Sequence, residues 1–361
     1  MVTAYRRGTR QLSVPVGTIR HNASAGGTVT QLTCLEICAG AGGQSLGLEQ
    51  AGFTHEAAVE LDPDACETLR VNRGSEWKVI EDDVHNVDGH AYEGLDLFSG
   101  GVPCPPFSIA GKQLGEDDDR DLFPQALRLV EEISPRAVLL ENVRGLATHR
   151  FSGYRAQVLA RLHALRYQTW WDLVQASDHG VAQLRPRFVL VALKEPWAGN
   201  FQWPHPSPHP PPSVGDILHD LMSERGWPGA DAWRAGARGI APTIVGGSKK
   251  HGGPDLGPTR AREAWKTLGV DGLGIANEAP GLDFPVRQLP KLTTRMVARI
   301  QGFPDSWAFS GRKTAAYRQV GNAFPPPVAR ALGQAIRDAL SVTTPAPQAS
   351  DLGHHASFAA D

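Results

Sequence analysis

A cysteine held between prolines, a carboxylate after an apolar run, and two arginines separated by a single residue are the groups here best suited to covalent chemistry. Cys104 lies in Phe98-Ser99-Gly100-Gly101-Val102-Pro103-Cys104-Pro105-Pro106-Phe107-Ser108. Proline fixes its own φ and turns the residue before it away from the helical region. Cys104 is therefore expected on a stiff loop just past a strand end, where open α/β sheets carry reactive groups. A thiol there is either a nucleophile or a small apolar filler, and this stretch alone leaves both readings open. Glu141 follows the apolar run Ala137 to Leu140. If consecutive strands are neighbours, it lies beside the strand that leads to Cys104. Partial desolvation would raise its pKa towards the range where a carboxyl shares a proton; capping the next segment is the alternative. Gln183-Leu184-Arg185-Pro186-Arg187 enters a further strand. Alternation puts Arg185 and Arg187 on one face, suited to anions or carbonyl oxygens, or else to a solvated edge.

A second group of residues suits an adenosine-bearing ligand. The loop Cys38-Ala39-Gly40-Ala41-Gly42-Gly43 follows a β-prone run and precedes a helical one. Small residues there let the backbone approach a ligand at a helix N-terminus. Glu60 ends the next strand and could accept from ribose hydroxyls. Asp83 follows the third strand and could accept from an adenine amino group, with Val84 packing on the ring. Each has a plainer reading, as a solvated carboxylate or a turn cap. Their recurrence at successive strand ends favours the adenosine site.

The elements that must position these groups alternate. Strands are expected at Leu32 to Ile37, His55 to Val59, Lys78 to Ile80, Leu95 to Phe98 and Ala137 to Leu140. Helices are expected to about Ala51, from Pro63 (capped by Asp62) to about Asn72, and from about Leu122 to Ile133. This is an α/β fold, a Rossmann-like mostly parallel sheet with helices on both faces. The rhythm breaks after about Leu193. A Pro-rich joint at residues 203–212 lies near the start of a smaller, loop-rich inserted domain over 196–291. Helical spacing returns at Leu292 to Ile300 and after Pro325-Pro326-Pro327, to about Leu340. The expected division is a loose arm at 1–30, a main domain at 31–195 and 292–340, the insert at 196–291, and a frayed tail at 341–361.

Composition narrows the class. With 361 residues and 41% hydrophobic content, the chain can bury a large core. Its net charge of −2 means that any polyanion surface must be a local patch. Four irregularly spaced cysteines (Cys34, Cys38, Cys66, Cys104) argue against both a disulfide framework and a structural zinc site. No metal is expected. No apolar run is long enough to span a bilayer, and no export signal is seen, so the expected location is cytoplasmic.

A nucleophilic thiol, a proton-sharing carboxyl, paired arginines and an adenosine site suit attack on an electron-poor ring followed by group transfer. In that order the chain resembles the DNA (cytosine-5) methyltransferases from about Leu32 to Leu340. The Pro103-Cys104 loop, Glu141-Asn142-Val143, Gln183 to Arg187 and Gln319-Val320-Gly321-Asn322-Ala323-Phe324-Pro325-Pro326-Pro327 match family motifs. Arg299 to Pro304 resembles the helix and turn just upstream of the last. Two positions depart from the pattern: Cys38 stands where Phe is usual, and Glu36 where Asp is commoner.

The resemblance implies S-adenosylmethionine as donor and a cytosine in double-stranded DNA, flipped from the stack, as target. It implies catalysis by Cys104, Glu141, Arg187 and Arg185. It places the cofactor among Cys38, Ala39, Gly40, Ala41, Gly42, Gly43, Glu60, Leu61, Asp83, Val84, Pro103, Leu122, Asn322 and Ala323. The insert would read a short DNA site, with Arg234, Arg238, Lys249, Lys250, Arg260 and Arg262 as candidates. A monomer is expected, and a cognate restriction endonuclease is the partner class the family raises. RNA (tRNA) cytosine-5 methylation is the alternative function, disfavoured by an insert of this size. A nicotinamide-dependent dehydrogenase shares the glycine loop but not Cys104 and Glu141 in these places. A binding-only relative would not need Cys104, Glu141 and Arg187 intact.

Overall fold

The computed structural model describes residues 31–103, 121–246 and 255–342. Cys104, Lys249, Lys250, the arm at 1–30 and the tail beyond 342 lie outside the described residues. Seven strands form the sheet: β1 (Leu32–Ile37), β2 (Phe53–Glu60), β3 (Val79–Glu81), β4 (Leu97–Gly101), β5 (Ala137–Val143), β6 (Tyr167–Gln175) and β7 (Pro186–Lys194). Their order is β3-β2-β1-β4-β5-β7-β6. The first five run parallel, and β7 is antiparallel to both its neighbours. The sheet is thus mostly parallel, and its reversal of strand order leaves a crevice at the carboxyl ends of β1 and β4.

The helices are α1 (Gly43–Gln50), α2 (Pro63–Arg73), α3 (Phe123–Ile133), α4 (Ser152–Ala164), α5 (Val214–Ser223), α6 (Ala230–Gly236), α7 (Thr259–Thr267), α8 (Thr294–Gln301), α9 (Lys313–Asn322) and α10 (Pro326–Ser341). Strand alternation sorts the core into faces. Leu35, Ile37, Val138, Leu140, Phe188 and Leu190 pack with residues of α3 and α4. Leu32, Cys34, Ala137, Leu139, Val189 and Val191 pack with residues of α1 and α10. The expected cap of α2 is present, since Asp62 accepts from the Asp64 backbone N–H at 3.0 Å ahead of Pro63. Among the described residues no helix is long and apolar enough to cross a membrane.

Three elements differ from the sequence expectation. β4 includes both glycines, because a side chain at Gly100 would strike Ile37 of β1, 2.7 Å from its Cγ1. β5 runs on through Glu141, which therefore lies inside the strand, opposite Gly101 of β4 and Val189 of β7. The insert carries helices α5, α6 and α7 within its loops. Its apolar residues Val214, Leu218, Trp233, Ile244 and Trp265 join one cluster with Met296, Ile300 and Val320 of α8 and α9.

Candidate active site and cofactor cavity

At the carboxyl ends of β1, β2, β4 and β5 lies a cavity of about 790 Å³. Cys38, Ala39, Gly40, Ala41, Glu60, Leu61, Asp83, Val84, Pro103, Leu122, Asn322 and Ala323 line it, as the sequence reading expects. Gly42 and Gly43 do not. Their small size serves packing: a Cβ on Gly42 would lie 2.8 Å from Leu69, and one on Gly43 only 2.2 Å from the Phe324 carbonyl oxygen. Gly40 is the opposite case. It has φ +56, and a Cβ there would meet nothing within 4 Å. Cys38 also takes a left-handed conformation, with φ 51, to start the turn. Trp307 Nε1 donates to the Ala41 carbonyl at 3.1 Å and steadies the loop.

Glu60 is held by three backbone N–H groups. Gly40 donates to Oε2 at 2.7 Å; Leu61 and Asp62 donate to Oε1 at 2.9 and 2.8 Å. Burial nevertheless pushes its carboxyl up from the ordinary value, with the three donors opposing. Burial, reinforced by Glu60, likewise raises the Cys38 thiol and keeps it neutral. Asp83 caps the turn after β3, accepting from the His85 backbone N–H at 3.0 Å, with His85 Nδ1 at 2.6 Å. Those contacts hold it below the usual carboxylate range. Capping and bordering the cavity are both true of it.

The cavity wall also contains Glu36 and Gln44. Glu36 Oε2 accepts from Ser45 Oγ at 2.6 Å. Glu36 Oε1 and both amide atoms of Gln44 are buried with no partner among the described residues. The sequence reading passes over Gln44. Its signal is a glutamine in the first turn of a helix whose neighbouring residues are all buried. Gln319, the first residue of its matched motif, and Arg318 just before that motif also line the cavity, and Arg318 pairs with Asp62 at 3.2 Å across the rim.

At the other end of the cavity, Arg187 Nε lies 2.8 Å from Glu141 Oε1, with side chains 12% and 11% exposed. Burial raises the Glu141 carboxyl above its ordinary value; Arg187 first, then Arg185, pulls against it. Burial lowers the Arg187 guanidinium, with Glu141 opposing. Asn142 Nδ2 donates to the Val102 carbonyl at 2.6 Å, so β5 pins the chain just ahead of Pro103. Leu122 N–H reaches the Pro103 carbonyl at 3.4 Å. Pro103, the residue bonded to Cys104, thus faces the same cavity as Glu141 and Arg187.

Arg185 does not join them. It is fully buried, outside the cavity lining, and donates to the carbonyls of Ile244 (2.5 Å), Gly321 (2.8 Å) and Ala323 (2.9 Å). Its terminal nitrogens are turned to main chain, while its Nε is buried with no partner among the described residues; Pro186 starts β7 only after it, which frees Arg185 from the strand's alternation. Of the expected DNA-reading residues, Arg234 pairs with Asp216 at 2.9 Å, and Arg238 Nε donates to the Ala235 carbonyl at 2.9 Å. Arg262 donates to Thr259 Oγ1 at 3.2 Å. Arg260 is exposed at the start of α7 with no partner among the described residues.

Comparison with known proteins accords with this arrangement. The family model for the C-5 cytosine-specific DNA methylase matches residues 32–338. The chain is 57% identical over 314 residues to the Type II methyltransferase M.NaeI of Lentzea aerocolonigenes, covering 86% of this chain and 76% of that one. It is 52% identical over 313 residues to the Type II methyltransferase M.NgoMIV of Neisseria gonorrhoeae, covering 86% and 98%. In fold it is similar to Spodoptera frugiperda DNMT2 (TM-score 0.60, 19% identity, 85% and 99% covered). It is also similar to the Entamoeba histolytica methyltransferase EhMeth (TM-score 0.61, 16% identity, 86% and 99% covered). With its motifs gathered around one cavity and a match over nearly all the described residues, the chain belongs to the C-5 cytosine-specific DNA methylases.

Proposed function

We propose that this chain methylates carbon 5 of a cytosine flipped out of a short duplex DNA site, with Cys104 as nucleophile and S-adenosylmethionine as donor. The observation that carries it is the largely buried Glu141–Arg187 pair beside Pro103. The Cys104 thiolate attacks carbon 6 of the ring. Glu141, its carboxyl raised by burial, holds a proton at ring nitrogen 3 so that negative charge does not build up there. Arg187 keeps Glu141 in place and offers its remaining N–H groups to the carbonyl oxygen. When bound, S-adenosylmethionine supplies an electrophilic methyl group. Loss of the carbon 5 proton and departure of Cys104 then restore aromaticity.

The cavity residues fit that donor. The open space at Gly40 admits a ligand against the backbone. Glu60 keeps acceptor capacity for ribose hydroxyls beside its backbone donors. Leu61 is 63% exposed although it lines the cavity, as a residue that packs on a ligand ring would be. The unpartnered Glu36 Oε1 and Gln44 amide suit the ammonium and carboxylate of an amino-acid end. Residues 196–291 are the part we assign to reading DNA, with Arg260 the freest of the described candidates. Because the curated relatives are Type II methyltransferases, the matching partner is a restriction endonuclease that cuts the same site. Bisulfite sequencing of DNA from cells expressing the protein tests the reading. Methylated cytosine in one short context is expected. Its absence from DNA, or its appearance only in tRNA, would overturn it.

A further inference from the structure

We infer that Arg185 is a positioning residue that ties the DNA-reading insert to the donor-binding wall, so that duplex and donor bind cooperatively. This rests on the function proposed above. Arg185 is 0% exposed, and burial drives its guanidinium well below the ordinary value. Among the described residues it bonds no carboxylate; its terminal nitrogens reach the carbonyls of Ile244, Gly321 and Ala323 and, at 3.5 Å, the side-chain oxygen of Gln183. A buried charge held this way is a poor source of stability compared with an apolar side chain. What it does provide is fixed geometry among three segments distant in sequence.

Neighbouring groups complete the tie. Gln183 Oε1 accepts from the Ile244 N–H at 2.8 Å, and Gln183 Nε2 donates to Gln301 Oε1 at 2.6 Å. Gln301 Nε2 in turn donates to the Ala323 carbonyl. Main chain meets main chain beside this network. A Cβ on Gly321 would lie 2.4 Å from the Gly246 nitrogen, and one on Gly246 2.4 Å from Asn322 Oδ1. The segment 241–246 belongs to the insert. Asn322 and Ala323 line the cavity, and Arg187, two residues beyond Arg185, pairs with Glu141. The three segments thus form one contiguous network of packed and hydrogen-bonded groups, the kind of path through which two sites can be coupled.

Linkage makes the coupling measurable from either side. Anisotropy of a labelled duplex carrying the methylated site, with and without saturating S-adenosylhomocysteine, gives one factor. Calorimetry of S-adenosylhomocysteine with and without duplex gives the other. For the wild type we expect one factor of at least about fivefold, equal in both directions. In Arg185→Lys, which keeps the charge but not the planar fork, and in Arg185→Met, it should fall below about twofold. Gly246→Ala wedges the same junction from outside the buried network and should also lower the factor, whether or not Arg185→Met folds. No coupling in the wild type, or undiminished coupling in Arg185→Lys and Gly246→Ala, overturns the inference. A wild-type protein that binds neither duplex nor S-adenosylhomocysteine removes the function reading instead.

Discussion

Two arginine–carboxylate pairs in this molecule have nearly the same geometry and very different surroundings. Arg187 and Glu141 meet at 2.8 Å on adjacent strands of the sheet, with side chains 12% and 11% exposed. Arg234 and Asp216 meet at 2.9 Å between two helices of the insert, 50% and 55% exposed. In the first pair strand register fixes both backbones, and burial shifts both ionisations. In the second, long side chains lie in water, where screening and rotamer entropy leave little net attraction. Distance alone does not tell a working pair from an incidental one. Desolvation does, and it sets the expected scale of each substitution.

The largest effect belongs to Cys104, which we propose as the nucleophile that the first pair serves. Cys104→Ser should reduce methyl transfer from labelled S-adenosylmethionine by at least about 10⁴-fold, since a neutral hydroxyl is a far weaker nucleophile than a thiolate. Duplex binding should survive. Activity within about tenfold of wild type would remove Cys104 from the chemistry.

Glu141→Gln comes next, with a loss of roughly 10²–10⁴-fold in single-turnover rate. The pH profile tests the cause. Burial raises the folded-state pKa of Glu141, so its protonated form is the one favoured by the site. The function that needs this proton is present below that pKa and is lost as pH rises through it. Wild-type rate should therefore fall on the alkaline side, and Glu141→Gln should lose that limb. An unchanged limb in the variant would assign it to another group.

A smaller pair of effects separates the glycines of the loop. Gly43→Ala puts a methyl group 2.2 Å from the Phe324 carbonyl. It should destabilise by about 1–3 kcal/mol, seen as a lower melting temperature. Gly40→Ala meets no atom within 4 Å, yet asks alanine to hold φ +56 next to the ligand space. It should weaken S-adenosylhomocysteine binding more than it lowers melting. The reverse order of the two variants would show that Gly40, not Gly43, is the packing residue.

The sheet and its site were legible because their determinants are local. β1 and its glycine loop, the Asp62-Pro63 start of α2, and the apolar run ahead of Glu141 can each be read within a few residues. The matched motifs also supplied their order. What could not be read depends on distant partners. The sequence puts Arg185 and Arg187 in the same pattern, and only the carbonyls of Ile244, Gly321 and Ala323 show that Arg185 turns away from the cavity. Gly42 and Gly43 look like ligand glycines until Leu69 and Phe324 are seen against them. β6 has no clean alternation, because Trp171, Asp172 and Leu173 at this edge of the sheet are all exposed. The helices of the insert are short; α5 packs on α6, and their apolar residues are completed only by joining one cluster with α8 and α9.

The smallest effects fall on the insert, and they sharpen the contrast with Glu141–Arg187. Arg260 is exposed at the start of α7 and free of partners among the described residues, whereas Arg234 is engaged by Asp216. If Arg260 reads a base, Arg260→Ala should cost roughly 1–3 kcal/mol at the preferred site and relax one position. If it meets a phosphate, all duplexes should weaken alike and the salt slope should flatten by about one unit. Arg234→Ala should do neither, because freeing an exposed Asp216 leaves no charge buried and no backbone group unpaired. Its melting temperature, duplex affinity and methylated site should stay near those of wild type. Bisulfite sequencing of a random-sequence library, run beside a salt series of duplex binding, reads all of these. A shift in site choice by Arg234→Ala would show that DNA displaces Asp216 from this arginine. The exposed pair would then be a resting state rather than an incidental contact.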